Sequence, residues 1–126
     1  MSIINVTTRG SFDNTERFLN NIDQNKIGSI LEKYGPIGVK ALSEATPVDT
    51  GLAARSWYYE VINKPGYSSL RWHNNDIEGG IPVVILLQYG HGTRNGGWVE
   101  GRDFIMPAIQ PVFEQIMAEV TKEVTK

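Results

Sequence analysis

Two histidines, His73 and His91, and carboxylates such as Asp49, Asp76, Glu78, Glu100 and Asp103 are the side chains here that could move a proton or ligate a metal. General acid–base work or hydrolysis would need them grouped around a nucleophile or an ion. The sequence carries no Gly-x-Ser-x-Gly elbow, no His-Glu-x-x-His helix and no paired metal-ligand spacing, and two histidines 18 positions apart make a poor metal site. Cysteine is absent, which excludes disulfides and thiolate ligands. The expectation is a protein that is not an enzyme and uses no cofactor or metal. A hydrolase centred on His91 and a nearby carboxylate would require a pocket holding a nucleophile or a bound metal.

The second chemistry-bearing segment is Gly90 to Gly101, which holds five of the thirteen glycines. Glycine at that density implies unusual backbone geometry rather than helix or sheet. The N–H groups of such a loop, with His91 and Arg94, could receive a phosphate, yet no Gly-Lys-Ser/Thr follows. A loop that contacts another protein is the better reading. Within it Trp98 either tucks back onto its own domain or anchors a partner, since indoles pin loops and also dominate binding hot spots. Forty residues earlier, Asp49 can accept N–H bonds from Gly51 or Leu52 in an Asx-type turn, with Gly51 taking the bend.

These segments must be positioned by regular elements. Ile4 and Val6 alternate with polar neighbours as in a short strand, and Asp13 with Glu16 has the form of a capping box opening a short helix at about residue 14. Together they fill residues 1–24. Ile27, Ile30, Leu31, Tyr34, Ala41, Leu42 and Ala45 form one stripe that predicts a central helix over 26–45, kinked or broken at Gly35-Pro36. Aromatic and β-branched residues over 56–73, with Asn63-Lys64-Pro65-Gly66 inside them, predict a β-hairpin. On it Trp57, Tyr59 and Val61 share one face, and Leu70 lies with Trp72. The apolar run from Ile81 to Leu87 fits a buried strand or one or two helical turns equally well.

After the Gly-rich segment (90–101), the spacing of Ile105, Ile109, Val112, Phe113, Ile116, Met117, Val120 and Val124 predicts a C-terminal helix over 103–124. Pro107 suits its first turn; Pro111 makes it bend or start late. Phe104 is placed to seal the core, and Arg102 to reach a carboxylate or carbonyl of this domain or of a neighbouring subunit. The whole is expected to be one α+β domain over residues 1–126. In it a small, mainly antiparallel sheet packs against the long central helix and the C-terminal helix.

Composition narrows the partners. At 126 residues the chain suits a single core, and its net charge of −2, with both signs interleaved, gives no basic footprint for holding many phosphates. The first residues lack the apolar core of a signal peptide, and the longest apolar run is far too short to span a bilayer. A protein made in the cytoplasm, without a membrane anchor, is expected.

A helix, then Thr46-Pro47-Val48-Asp49-Thr50-Gly51-Leu52, then strands, then Tyr89-Gly90-His91-Gly92-Thr93, a Gly-rich stretch and Gly101-Arg102-Asp103-Phe104-Ile105-Met106-Pro107-Ala108 before a last helix occur here in that order. This combination resembles the tail-completion, or head-to-tail joining, proteins of long-tailed bacteriophages and prophages. That family includes neck and minor tail proteins and is often labelled after gene product ten of an HK-type phage. The resemblance covers about residues 25 to 120. It implies a structural virion protein, assembled in the host cytoplasm and located in the tail or neck. It implies a ring, expected to hold six copies, that meets tail tube or terminator proteins and head connector or adaptor proteins. DNA would pass through without sequence-specific binding. Tyr89, His91, Thr93, Arg94, Trp98 and Arg102 are then the contact candidates, with Asp49 and Gly51 as a structural turn. The alternative is a small nucleic-acid or nucleotide-binding module that uses the same loop.

Overall fold

Ile27, Leu31, Tyr34 and Leu42 recur at helical spacing and lie buried along one side of a 22-residue helix, α1 (Gln24–Ala45), in the computed structural model. The structure describes residues 4–9, 24–47, 51–64, 67–93 and 95–124. Around α1 are the strand β1 (Ile4–Arg9), a single helical turn α2 (Leu52–Arg55), and the strands β2 (Trp57–Lys64) and β3 (Tyr67–Asn74). Two short strands, β4 (Ile77–Glu78) and β5 (Ile81–Pro82), lead into helix α3 (Val83–Tyr89). The strands β6 (Gly90–Gly92) and β7 (Trp98–Glu100) and the helix α4 (Ile105–Val124) complete the order.

The main sheet is antiparallel with β3 at its centre, in the order β1-β3-β2. Its register places Tyr59 opposite Trp72 and Val61 opposite Leu70. Side chains alternate between the two faces of a strand, so these four share one face, and Leu70 and Trp72 are fully buried there beneath the helices. The architecture is α+β: a long helix packs on the sheet, and α4 packs on that helix through Ile105, Ile109, Val112 and Ile116.

Trp72 is the point of closest approach. Its indole Nε1–H donates to the Gly35 carbonyl at 3.0 Å, and its ring lies directly on Gly38, where a Cβ would collide with it. Tyr59 uses Gly35 in the same way. Glycine in a helix interior costs about 1 kcal/mol relative to alanine. Here that cost is offset because two aromatic rings gain direct contact with the helix backbone. The other side of Trp72 meets Phe113 of α4, with ring centroids 6.2 Å apart.

At both prolines the structure removes one of the two alternatives that the sequence left open, the break at Gly35-Pro36 and the late start at Pro111. Neither Gly35-Pro36 nor Pro111 breaks its helix: α1 runs continuously through the first, and α4 begins at Ile105 and runs through the second. Pro36 and Pro111 are exposed, so the carbonyls they leave without an intrahelical donor belong to outward-facing turns that water can reach. The open question at 81–87 resolves into both answers, a two-residue strand followed by a helix. The expected helix from residue 14, the turn residues Pro65 and Gly66, and Asp49 lie outside the described residues. Gly51 takes the bend as expected, at φ +82°, and its carbonyl accepts the N–H of Arg55 at 3.2 Å. Among the described residues no helix is long and apolar enough to cross a membrane.

Polar links fasten the remaining corners. Trp57 Nε1–H donates to Thr46 Oγ1 at 2.8 Å, and the Thr46 hydroxyl donates to the Leu42 carbonyl at 2.6 Å. Asn74 Nδ2 donates to the Ala53 carbonyl at 2.8 Å. Between α1 and α4, Glu119 accepts from Lys33 Nζ at 2.6 Å and from the Tyr34 hydroxyl at 2.9 Å. Hydrogen bonds from Lys33 and Tyr34 hold the Glu119 carboxyl below its ordinary value of 4.5, and the bond to Glu119 raises Lys33 above 10.5.

Two outcomes follow from this packing. Gly38→Ala, which in an open helix would stabilise, is expected to destabilise by about 1–3 kcal/mol because the added methyl displaces the Trp72 indole; a denaturation midpoint that rises instead would refute the packing. Glu119 contributes stability above its ordinary value of 4.5, and that contribution is lost as pH falls through its lowered folded value. Lys33 contributes below 10.5 and loses its share as pH rises through its raised folded value. The difference in denaturation midpoint between the wild type and Glu119→Gln should therefore shrink on acidification below about pH 4.5.

Candidate functional site

The segment from Tyr89 to Phe104 is built outward from α3. Val84 is fully buried and fixes α3 against the core, while the N–H of Val83 donates to the Asp76 carbonyl at 2.8 Å. The helix ends at Gly90, whose φ of +85° is a conformation that side chains with a Cβ avoid, and whose N–H closes on the Leu86 carbonyl. From there the chain enters β6, turns, and returns as β7 with Gly90 opposite Glu100, His91 opposite Val99 and Gly92 opposite Trp98.

This corrects the expectation of a segment that is neither helix nor sheet: Gly90–Gly92 and Trp98–Glu100 pair as a small antiparallel hairpin. The glycines serve its turn and its base. Thr93 closes the turn, its N–H donating to the Gly97 carbonyl at 2.9 Å while its Oγ1 accepts the N–H of Gly97 at 3.0 Å. At the base the outgoing and returning strands cross at Gly90 and Gly101. A Cβ on Gly101 would stand 2.5 Å from the Gln88 carbonyl oxygen, and one on Gly90 would stand 2.7 Å from that of Val99.

Gln88 locks the crossing. Its Oε1 accepts the N–H groups of Phe104 at 3.0 Å and Ile105 at 3.1 Å, and its Nε2 donates to Asp103 Oδ1 at 2.8 Å. The first N–H groups of a helix have no partner within it, so one side chain from α3 both caps the start of α4 and ties the hairpin to it. The N–H of Arg102 adds a bond to the Leu87 carbonyl at 2.9 Å. Phe104 is buried and seals the core, as its place before the helix predicted.

The candidate contact residues divide in this frame. Tyr89 and Trp98 project into solvent, with 71% and 62% of their surface exposed, and Val99 is exposed beside them. Trp98 does not tuck into the domain; one edge of its indole rests over Gly90 and the remainder faces outward. Thr93 is exposed and closes the turn. His91 is half-buried, its Nδ1 enclosed and without a hydrogen-bond partner among the described residues. Arg94 lies outside the described residues. Arg102 is exposed, and among the described residues no ion pair includes it, so the expected carboxylate partner inside this domain is not seen.

His73 stands on the main sheet. Its ring stacks on Tyr58 with centroids 4.9 Å apart, and its Nε2 lies 3.3 Å from Glu60. Among the described residues no group of three or more His, Cys, Asp or Glu side chains is placed to hold a metal ion.

Sequence reasoning missed two features. One is Gln88, whose three bonds join segments about 15 residues apart. The other is an open groove of about 580 Å³ between α1 and the edge strand β2, lined by Pro36, Val39, Lys40, Glu44, Trp57 and Tyr59. Its walls come from separate elements, and only the i, i+4, i+8 spacing of Pro36, Lys40 and Glu44 marked one of them in advance. Comparison with protein-family models, with curated proteins and with solved structures finds no match for this chain.

Replacing Gln88 with alanine leaves two helix-start N–H groups without their acceptor, a loss of about 1–3 kcal/mol. Amide hydrogen exchange at Phe104, Ile105 and residues 90–101 should accelerate in Gln88→Ala while the β2–β3 amides stay slow. Unchanged exchange at the hairpin base would show that Gln88 does not hold it.

Proposed function

We propose that the protein is a structural virion component that completes a phage or prophage tail or joins it to the head, acting by assembly around the DNA channel and not by turnover. The observation that carries this reading is the hairpin. It presents Tyr89, Trp98 and Val99 to solvent on a base locked by Gln88, Gly90 and Gly101. A large exposed aromatic on an ordered element loses little entropy when buried by a partner, which is the physics of a binding hot spot.

The sequence resemblance supports the same reading. Two of its motifs, Tyr89 to Thr93 and Gly101 to Ala108, meet in space through the Gly90–Gly101 crossing and through the bond from Gln88, just before the first, to Asp103 of the second. On this proposal the protein acts in a ring, expected to hold six copies, between tail tube or terminator proteins and head connector or adaptor proteins. A net charge of −2 suits a channel wall that does not retain passing DNA by counterion release.

Trp98→Ala should fold as the wild type does, with a stability change within about 0.5 kcal/mol, because the side chain is exposed. The same variant should weaken docking by roughly 30-fold, as removal of a hot-spot aromatic does. Joining of heads to tails in a complementation assay should fail accordingly. Normal particle yield would exclude the hairpin from the mechanism. Salt-sensitive DNA binding by the isolated protein, abolished with Trp98 or Arg102, would instead favour the nucleic-acid-binding alternative.

A further inference from the structure

We infer that β7 of one copy docks in the α1–β2 groove of a second copy, with Trp98 over Pro36 and Tyr59, Glu100 against Lys40, and Arg102 against Glu44. The inference deepens the assembly reading and rests on it for its biological setting. Its physical basis is a match of spacing, charge and exposure between two surfaces that lie apart on one chain.

Pro36, Lys40 and Glu44 succeed one another every four residues along the exposed face of α1, a step of about 6 Å. Trp98 and Glu100 lie two residues apart along β7, a step of about 6.6 Å, and Arg102 follows two residues later in the segment leaving the strand. Read in the same direction, the two rows run apolar, positive, negative on the helix and aromatic, negative, positive on the strand. Reversing the direction, or shifting by one step, sets like charges together or leaves the indole facing a charge.

All six residues are exposed, and among the described residues Lys40, Glu44, Glu100 and Arg102 form no ion pair. The groove has an apolar wall, Trp57 and Tyr59, where the indole would enter. It also runs beside β2, an edge strand of the main sheet, and among the described residues β7 is paired with β6 alone, so the contact brings together two strands at sheet edges. The two surfaces differ, which makes the contact heterologous: repeated, it builds a ring or a filament rather than a two-fold dimer.

The native chain has no cysteine, so engineered thiols report the contact without background. Lys40→Cys and Glu100→Cys combined in one full-length chain should, under mild oxidation, give a ladder of dimers, trimers and larger species. Mixing the two single variants should give one heterodimer band, and neither single variant alone should cross-link. Lys40→Glu should weaken self-association, measured by light scattering, at least tenfold, and adding Glu100→Lys should restore it.

An oligomer that forms without this cross-link would overturn the interface and leave the assembly reading standing. Cross-linking of Lys40→Cys with itself would replace it with a two-fold contact, and a chain that stays monomeric at every concentration with no cross-link would also overturn it. A ladder from a protein that does not support joining of heads to tails would keep the interface and sink the virion role.

Discussion

The indole of Trp72 fixes the relation of α1 to the sheet, and the other elements take their places from it. One of its faces lies on Gly38, its N–H is held by the Gly35 carbonyl, and its other side meets Phe113 of α4. A buried tryptophan must satisfy its single donor, and here the acceptor is helix backbone 37 residues away. The helix therefore cannot slide along the sheet without losing the bond, and a side chain on Gly38 would hold it further off. The Glu119 links from α4 to Lys33 and Tyr34 lie at the rim of the same packing, where they set angle more than they supply stability.

The same constraint explains how a small chain presents a rigid surface. With α1 close to the sheet, Pro36 and Tyr59 come together as one end of the groove, and α4 is carried on the far side with its first turn near α3. Gln88 then needs only one side chain to reach the unpaired N–H groups at the start of α4. The hairpin is thus an extension of two helix ends, and its aromatics are held out by core packing and not by the two short strands alone, which would be marginal in isolation.

The elements were legible in the sequence wherever periodicity was long: the α1 stripe, the β2–β3 alternation and the α4 stripe each locate a core face, although Met117 of the α4 stripe is exposed. What local rules did not resolve was proline and glycine. A break at Pro36 and a late start at Pro111 stayed open as alternatives to a kink or bend because the sequence does not show that the freed carbonyls face water. The glycines of 90–101 read as a shaped contact loop outside helix and sheet because close approach between Gly90 and Gly101 is a property of two strands meeting, visible only once both are placed. Phe104 and Gly51 could be assigned because their roles are set by immediate neighbours. Gln88 could not, since nothing local distinguishes a capping glutamine from a solvent-facing one.

The exposed indole of Trp98 is the surface that the proposed assembly would bury. A contact made of one aromatic ring and two solvent-accessible ion pairs is individually weak and screened by salt. Closing a ring changes this, because the last contact forms within an already tethered assembly and gains from effective concentration without any new interaction. Anything that holds several copies side by side, such as the rim of a tail or a connector, raises that concentration. On the proposed interface, self-association would then follow docking, with the order of assembly set by the weakness of the single contact.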